Sequence, residues 1–136
     1  MEGGAMKRQN VSSGAPWEAT VGYSRAVRLG QLVEVAGTTA VDDEGRVVGA
    51  GSPYTQARFA LEKIGRALVE AGGGFEDVIR TRIFVTDIAR WEEVGRAHGE
   101  VFRDVRPAST LVAVASLVRP AAAVVPDGRV GGVHES

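Results

Sequence analysis

The sequence predicts an α/β (α+β) domain in which two helices pack on one face of a β-sheet. Two segments carry apolar residues at helical spacing, and five shorter segments are alternating or continuously apolar, as strands are. The predicted order is strand, strand, helix, strand, helix, strand, strand, which places the helices on one face of the sheet. The 136 residues, 44% apolar and 24% charged, suit a single globular domain.

The N-terminal part of the chain predicts a loop followed by a hairpin. The first 22 residues are polar and rich in turn formers, with Trp17 expected to pack onto the domain. Residues 23–29 alternate in polarity and residues 31–36 are mainly apolar, so both are predicted strands. Gly30 between them predicts a tight turn. Residues 42–45 have a turn composition and lack the ligand spacing of a calcium loop.

The middle of the chain predicts a helix, a strand and a second helix. Apolar residues recur at helical spacing from Tyr54, and the glycines at 72–74 end that helix. Residues 78–86 alternate and predict a strand. Asp87 can cap a helix over about residues 90–103. The buried stripe of this second helix is expected to comprise Trp91, Val94, His98, Val101 and Phe102.

The C-terminal part combines a clear strand with an unusual end. Residues 111–118 predict an apolar strand and residues 121–125 a last one, because Pro126 removes a ladder hydrogen bond. Two accounts stay open: the strand ends at Val125 before a flexible tail, or the reading frame differs from the ancestral one near Leu117. The predicted domain covers residues 11–130, between a flexible extension (1–10) and a flexible tail (131–136).

Composition excludes several classes of protein. The net charge of −1 argues against a nucleic-acid partner. With no cysteine and two histidines, the chain predicts no disulfide and no thiolate or histidine-rich metal site. No segment approaches the roughly 20 apolar residues that span a bilayer, and the N-terminus lacks a secretory core, so we expect a cytoplasmic protein without a membrane partner. The helix-free sheet face should be apolar, which predicts self-association.

Five short motifs resemble the RidA (YjgF) family of endoribonuclease L-PSP-like proteins. YSRAV at residues 23–27 resembles the family's YSQAV, and VAGT at 35–38 resembles VSGQ. Residues 57–81 resemble ALENLKAVLEAAG followed by DDVVKT. FVTD at 84–87 resembles FLTD, and RPA at 106–108 resembles KPA. From their order and spacing, between about Val11 and Leu117, the chain is identified as a member of this family.

The resemblance implies a chorismate mutase-like fold, with a mixed sheet and two helices on one face, in a homotrimer. Small-molecule ligands would bind in clefts between neighbouring subunits. It also implies a hydrolase, a deaminase that converts 2-imino acids such as 2-iminobutanoate to 2-keto acids and ammonia without a cofactor. That reaction suits an Arg that holds the substrate carboxylate bidentately and a Glu that positions and deprotonates water. Some members have been described as ribonucleases or translation inhibitors.

The chain departs from the family at both of those positions. Ser109 stands where the family has Arg after PA, and Val125 falls where the Glu belongs. Asp127 falls at the following acidic position. Gly95 stands where the second helix usually has Asn. Loss of the Arg removes on the order of 3–5 kcal/mol of interaction with a desolvated carboxylate.

The remaining site residues predict an altered ligand. The candidate catalytic residues are Tyr23 and Asp127, and the candidate substrate-binding residues are Gly37, Arg25, Ser109 and Thr110. Tyr23 and Gly37 match family site positions and would offer a hydroxyl and a backbone N–H. Arg25 lies two residues after Tyr23 on the same strand face and can replace the missing clamp. We expect no general base beside Ser109, so a serine nucleophile is not predicted.

Three functions stay open at this stage. The first is hydrolysis of a small imine, enamine or related carbonyl metabolite that is less anionic than an imino acid. The second is a binding module that holds a small metabolite in the inter-subunit cleft without turnover. The third is RNA binding or cleavage, which the charge balance and the 6% of aromatic residues disfavour.

Overall fold

The computed structural model describes residues 6–118 and the backbone of residues 124–130, which form a six-stranded mixed sheet with two helices. The order across the sheet is β1-β2-β3-β6-β4-β5. The β4–β5 pair is parallel, and the other pairs are antiparallel. The elements are β1 (Arg8–Val11), β2 (Ala26–Leu29), β3 (Leu32–Val35), α1 (Pro53–Glu70), β4 (Val78–Val85), α2 (Trp91–Phe102), β5 (Ala108–Ala113) and β6 (Val124–Val130).

Both helices cover the same face of the sheet, which confirms the predicted fold class. The register through β6 puts Val33 and Val35 of β3 on the same face as Ile83 and Val85 of β4. All four side chains are buried. The strands on the β3 side pack with the apolar stripe of α1, and Ile83 and Val85 pack with residues of both helices. The core therefore lies between the sheet and the helices.

Local signals set the helix ends. Ser52 caps α1 by accepting a hydrogen bond from the Thr55 backbone N–H at 3.3 Å, and Pro53 occupies the first turn. Gly72, with φ +92°, lies just beyond its C-terminal end. Asp87 accepts from the Ala89 backbone N–H and caps a short 3₁₀ turn that leads into α2. The expected stripe of α2 is correct at Val94 and Phe102, whereas Trp91 is exposed.

The N-terminal prediction needs two corrections. Arg8–Val11 forms β1, an edge strand that pairs with β2, where we predicted a loop. The sequence did not predict this strand because backbone hydrogen bonds hold it in the sheet, and Val11 is its one buried side chain. Trp17 does not pack onto the domain and is 57% exposed.

Turns behave as their composition predicts. β2 and β3 form a hairpin whose turn contains Gly30 at φ +63°, a backbone conformation that favours glycine. The Asp42 carboxylate accepts from the backbone N–H groups of Glu44 and Arg46, each at 2.9 Å. Residues 42–45 therefore form an Asx-type turn.

The last strand is the largest correction. β6 runs through Pro126 to Val130, so the expected end at Val125 and a flexible tail from there are wrong. The reason is local: β3 pairs with β6 only from Gly128 to Val130, so Pro126 has β4 alone as a neighbour. Proline is tolerated where no ladder donor is required. Strand β5, on the far side of β4, covers Ala108–Ala113 rather than residues 111–118. The predicted tail at 131–136 lies outside the described residues.

The helix-free face of the sheet is not the apolar surface we predicted. Strand register puts charged and polar residues beside apolar ones on this face. Those residues include Arg8, Asn10, Val27, Leu29, Leu32, Glu34, Arg80, Arg82, Phe84, Ala108, Thr110 and Val112. Within the described part of the chain, no helix is both long and apolar enough to cross a membrane.

A substitution at Leu68 tests the position of the core between the sheet and the helices. Its side chain is fully buried, whereas the adjacent Val69 is 70% exposed on the same helix. Leu68→Ala should lower the free energy of unfolding by about 3 kcal/mol, because it removes apolar contacts and leaves a cavity. Val69→Ala, the matched control, should change it by less than about 0.5 kcal/mol. Urea unfolding at one fixed protein concentration measures both, and equal effects would contradict this packing.

Candidate functional site

A cleft of about 550 Å³ opens where β1, β2 and β3 meet the loop before β2. Its polar walls include Arg8, Asn10, Glu18, Tyr23 and Glu34. Arg8 Nε donates to Asn10 Oδ1 at 3.0 Å, and Asn10 Nδ2 donates to Ser24 Oγ at 2.8 Å. Of the residues predicted for the site, Tyr23 lines this cleft directly.

A short π-helical turn positions Tyr23. The turn covers Glu18–Gly22, and Gly22 leaves it with φ +90°. Tyr23 then adopts extended backbone, and its N–H donates to the carbonyl of Glu18 at 3.0 Å. The tyrosine side chain is 38% exposed, so its ring is available to a ligand in the cleft.

The buried carboxylate of Glu18 holds this turn in place. It accepts from Ser12 Oγ at 2.9 Å, from the Ser13 backbone N–H at 3.1 Å and from the Ser13 hydroxyl in a short contact. Burial raises the pKa of Glu18, but the Ser13 and Ser12 hydrogen bonds and the nearby Arg25 charge lower it further, so the net shift is downward. Glu18 is therefore ionised at neutral pH and organises the loop that carries Tyr23.

Arg25 joins two of the predicted site residues. Its Nη2 donates to the carbonyl of Gly37 at 2.9 Å, and its Cζ lies 5.8 Å from the centre of the Tyr23 ring. The side chain is 8% exposed, and within the described part of the chain its buried Nε has no hydrogen-bond partner. Burial lowers the pKa of Arg25, while Tyr23 and Glu18 oppose that shift.

The hydrogen bond between Arg25 and Gly37 bears on the roles predicted for both residues. We predicted that Arg25 can replace the missing clamp; its Nη2 already donates to the Gly37 carbonyl, and the clamp role stays a prediction. The Gly37 carbonyl accepts from Arg25, and the role of the Gly37 backbone N–H toward a ligand stays a prediction. Arg25 is thus a buried connector beside the Tyr23 ring.

Ser109 and Thr110 lie on β5, at the other edge of the sheet. Thr81 Oγ1 on β4 donates to Ser109 Oγ at 2.8 Å, and Arg80 Nη2 donates to Thr110 Oγ1 at 2.7 Å. Strands β3, β6 and β4 separate β2 from β5, which amounts to about 19 Å at ordinary strand spacing. A single chain therefore does not bring Tyr23 and Ser109 into one pocket.

His98 is connected to Ser109 through one hydroxyl group, which the sequence did not reveal. Its Nε2 lies 2.9 Å from Thr81 Oγ1, and its ring packs on Phe102 with centroids 4.7 Å apart. Burial lowers the pKa of His98. Among the described residues, the Thr81 hydroxyl separates the His98 imidazole from Ser109, so a potential base lies one side chain away from the serine.

Asp127 is described by its backbone alone. It belongs to β6, and its Cα partner on β4 is Arg82. Among the described residues, no three His, Asp or Glu side chains lie together in a way that would hold a metal ion.

Sequence reasoning missed three residues: Glu18, Thr81 and His98 in its connection to Ser109. The pair Ser12-Ser13 shortly before Glu18 was a signal for a capped carboxylate. Thr81 stood at a buried position of an alternating strand, where a hydroxyl requires a partner. Only the parallel pairing of β4 with β5 shows that this partner is Ser109.

Known proteins resemble the chain over most of its length. The family model described as endoribonuclease L-PSP matches residues 13–124. An uncharacterized protein, SCO2049, of Streptomyces coelicolor is 43% identical over 81% of each chain. The 3-aminoacrylate deaminase RutC of Acinetobacter baylyi is 34% identical over 75% of this chain and 80% of its own. The crystal structure of Rv2704 from Mycobacterium tuberculosis, a member of the YjgF/YER057c/UK114 family, superposes with TM-score 0.83 at 45% identity, covering 92% of this chain and 99% of that one.

The carboxylate of Glu18 predicts a pH-dependent stability. Glu18→Gln should lower the free energy of unfolding by about 1–3 kcal/mol at pH 7, because an amide cannot accept all the hydrogen bonds that the carboxylate accepts. Since folding lowers the pKa of Glu18 below its ordinary value of 4.5, this contribution is fully present above pH 4.5 and is lost as the pH falls through the folded-state pKa.

Urea midpoints of both proteins between pH 7 and pH 3 measure this effect. The difference in urea midpoint between the natural protein and Glu18→Gln should become smaller as the pH falls. Glu62→Gln, which changes an exposed carboxylate of α1, is the control and should show a small gap at every pH. A gap for Glu18→Gln that stays constant with pH would contradict the role of the charge.

Proposed function

Because this chain belongs to the RidA (YjgF) family, we propose that it hydrolyses a small imine or enamine to a carbonyl compound and ammonia, with low activity on anionic 2-imino acids. One relative, RutC, is named a 3-aminoacrylate deaminase, and 3-aminoacrylate is an enamine. That name supports the reaction class. The departures at Ser109 and Val125 determine how the substrate of this chain differs.

The observation that carries the proposal is the grouping of Tyr23, Arg25 and Gly37 beside a polar cleft. The Tyr23 ring is exposed to the cleft, and Arg25 lies beneath it with its charge shielded from water. A phenol hydroxyl next to a buried cation is a suitable donor to a C=N or C=O group that gains negative charge. The cleft can therefore polarise a small carbonyl-like ligand.

The residues at the β5 edge of the sheet favour a neutral ligand. Ser109 presents a hydroxyl where the family resemblance places a guanidinium, and Thr110, on the opposite face of β5, is already bound to Arg80. A hydroxyl pairs well with a neutral carbonyl, amide or amine, but it does not compensate a buried carboxylate. We therefore expect the preferred substrate to lack a carboxylate at this point.

A homotrimer would unite the two edges. Tyr23 and Ser109 are about four strand spacings apart in one chain, so a shared pocket requires a neighbouring copy. The helix-free sheet face, with its mixture of charged and apolar residues, is the surface that we propose packs between the copies. The ligand site would then lie between subunits at the edges of their sheets, with Tyr23 from one copy and Ser109, on the exposed β5 edge, from the next.

A second candidate is ligand binding without turnover. Val125 stands where the family resemblance places the Glu that activates water, and valine cannot move a proton. A protein with this cleft but without a working base would hold a metabolite and leave it unchanged. The first experiment separates these two functions.

Imine hydrolysis is the decisive assay for the proposed function. 2-Iminobutanoate can be made in the cuvette by an amino-acid oxidase, and a neutral imine by an amine oxidase acting on butylamine, with semicarbazide as the competing trap. We expect the natural protein to divert the neutral imine from the trap and to act weakly on 2-iminobutanoate. If it accelerates neither imine while it binds small ligands, it is a binding protein.

Restoring the family residues should change the substrate. The double variant Ser109→Arg with Val125→Glu should raise kcat/KM for 2-iminobutanoate by about a hundredfold, since a desolvated Arg–carboxylate pair is worth several kcal/mol. Ser116→Arg adds the same charge at an exposed position and is the control. Fast turnover of 2-iminobutanoate by the natural protein would contradict the role assigned to Ser109.

The assembly can be tested by light scattering at micromolar concentration. We expect a mass three times that of the 14.3 kDa subunit. A mass near one subunit would contradict a site shared between copies, because Tyr23 and Ser109 would then stay on opposite edges of one sheet.

A further inference from the structure

The described structure contains a connected line of three polar side chains, two of which have no part in the proposed site. Ser109 lies at its exposed end, Thr81 in the middle and His98 at the inner end. Thr81 is 4% exposed, so its hydroxyl must find its partners within the protein. Both partners come from other elements: Ser109 from β5 and His98 from α2.

The distances suit proton transfer along this line. Thr81 Oγ1 lies 2.8 Å from Ser109 Oγ and 2.9 Å from His98 Nε2. Each hydroxyl both donates and accepts, and the imidazole Nε2 accepts or donates according to its tautomer. Rotation of the two O–H bonds therefore reverses the direction of hydrogen bonding along this line. In one direction His98 donates to Thr81, which donates to Ser109. In the other direction Ser109 donates to Thr81, which donates to His98.

The geometry points to Ser109–Thr81–His98 as a proton relay that activates water for imine hydrolysis, with His98 as the terminal base. This inference rests on the proposed function. This relay would supply what Val125 cannot. Ser109 would be the one relay residue that touches the water, while Thr81 and His98 act through it as positioning and proton-accepting residues.

The step balances without a cofactor. The oxygen of water bonds to the carbon of C=N, one water proton passes through the Ser109 and Thr81 hydroxyls to His98 Nε2, and the imine nitrogen takes a proton from solvent. The C–N bond of this adduct then breaks, and nitrogen leaves as ammonia with the electron pair and the proton that His98 returns through the relay. The remaining hydroxyl loses its proton to solvent and becomes the carbonyl group.

The surroundings of His98 suit a base at neutral pH. The Thr81 hydroxyl faces the ring from β4, and the Phe102 ring faces it from α2, with Phe75 packed edge-on against Phe102. Burial lowers the pKa of His98, and among the described residues no charged group contributes to this shift. The imidazole is therefore neutral near pH 7 and able to accept a proton.

Three variants test the relay in the full-length protein, with the neutral imine from butylamine and 2-iminobutanoate as substrates. Thr81→Val removes the linking hydroxyl, and His98→Gln keeps a hydrogen-bonding group but removes the base. Each should lower kcat about a hundredfold with little change in KM. Thr81→Ser, which keeps the hydroxyl, should restore most of the activity.

Thr86→Val, at an exposed position just after β4, is the matched control and should keep full activity. Urea midpoints establish that each variant is folded. The acidic limb of the pH–kcat profile should disappear in His98→Gln, an effect that a merely structural side chain would not produce. If Thr81→Val and His98→Gln are folded and keep kcat and the acidic limb, the relay is overturned while the proposed function stands.

A natural protein that hydrolyses neither imine overturns the proposed function and this use of the relay together. Nuclear magnetic resonance of the ring nitrogens of His98 gives a separate check on the hydrogen-bonded line itself. The chemical shift of Nε2 should move in Thr81→Val and in Ser109→Ala, and it should stay in place in Thr86→Val. Unchanged Nε2 shifts in both relay variants would overturn the hydrogen-bonded line.

Discussion

The pairing of β6 with both β3 and β4 is the interaction on which the rest of the structure depends. Without it, β1-β2-β3 and β4-β5 would be two separate groups of strands. The strand that joins them comes from the end of the chain and contains Pro126, yet its register keeps Val33 and Ile83 on one face. That shared face buries the apolar stripes of both helices, so the core depends on a strand with a weak sequence signal.

The same strand order determines what a single copy of the protein can do. It places Tyr23, Arg25 and Gly37 at one side of the sheet and Ser109 with Thr110 at the other, separated by the strands that β6 joins. Each half has its own polar organisation: a buried guanidinium beneath a tyrosine ring on one side, and hydroxyls linked to a histidine on the other. A function that needs both halves therefore requires association, which is why we propose a shared site between copies.

Buried polar groups organise both halves. Glu18 and Arg25 cost free energy to bury, and their hydrogen bonds to Ser13 and to Gly37 offset that cost. Thr81 is satisfied by two partners from different elements. Groups of this kind hold a site in one geometry, because each side chain has few other positions in which its hydrogen bonds are satisfied.

By itself the sequence determined the helices, the β2–β3 hairpin and β4, because apolar periodicity and turn residues act over short distances. It also identified the family, and with it Tyr23, Gly37 and Ser109 as candidate site positions. Tertiary structure alone decided β1, the course of β6 through Pro126, and the mixed character of the open sheet face. It also decided that Arg25 binds Gly37 and that Thr81 links Ser109 to His98. These are contacts between residues far apart in the chain, and no local pattern encodes which partner a buried polar group will meet.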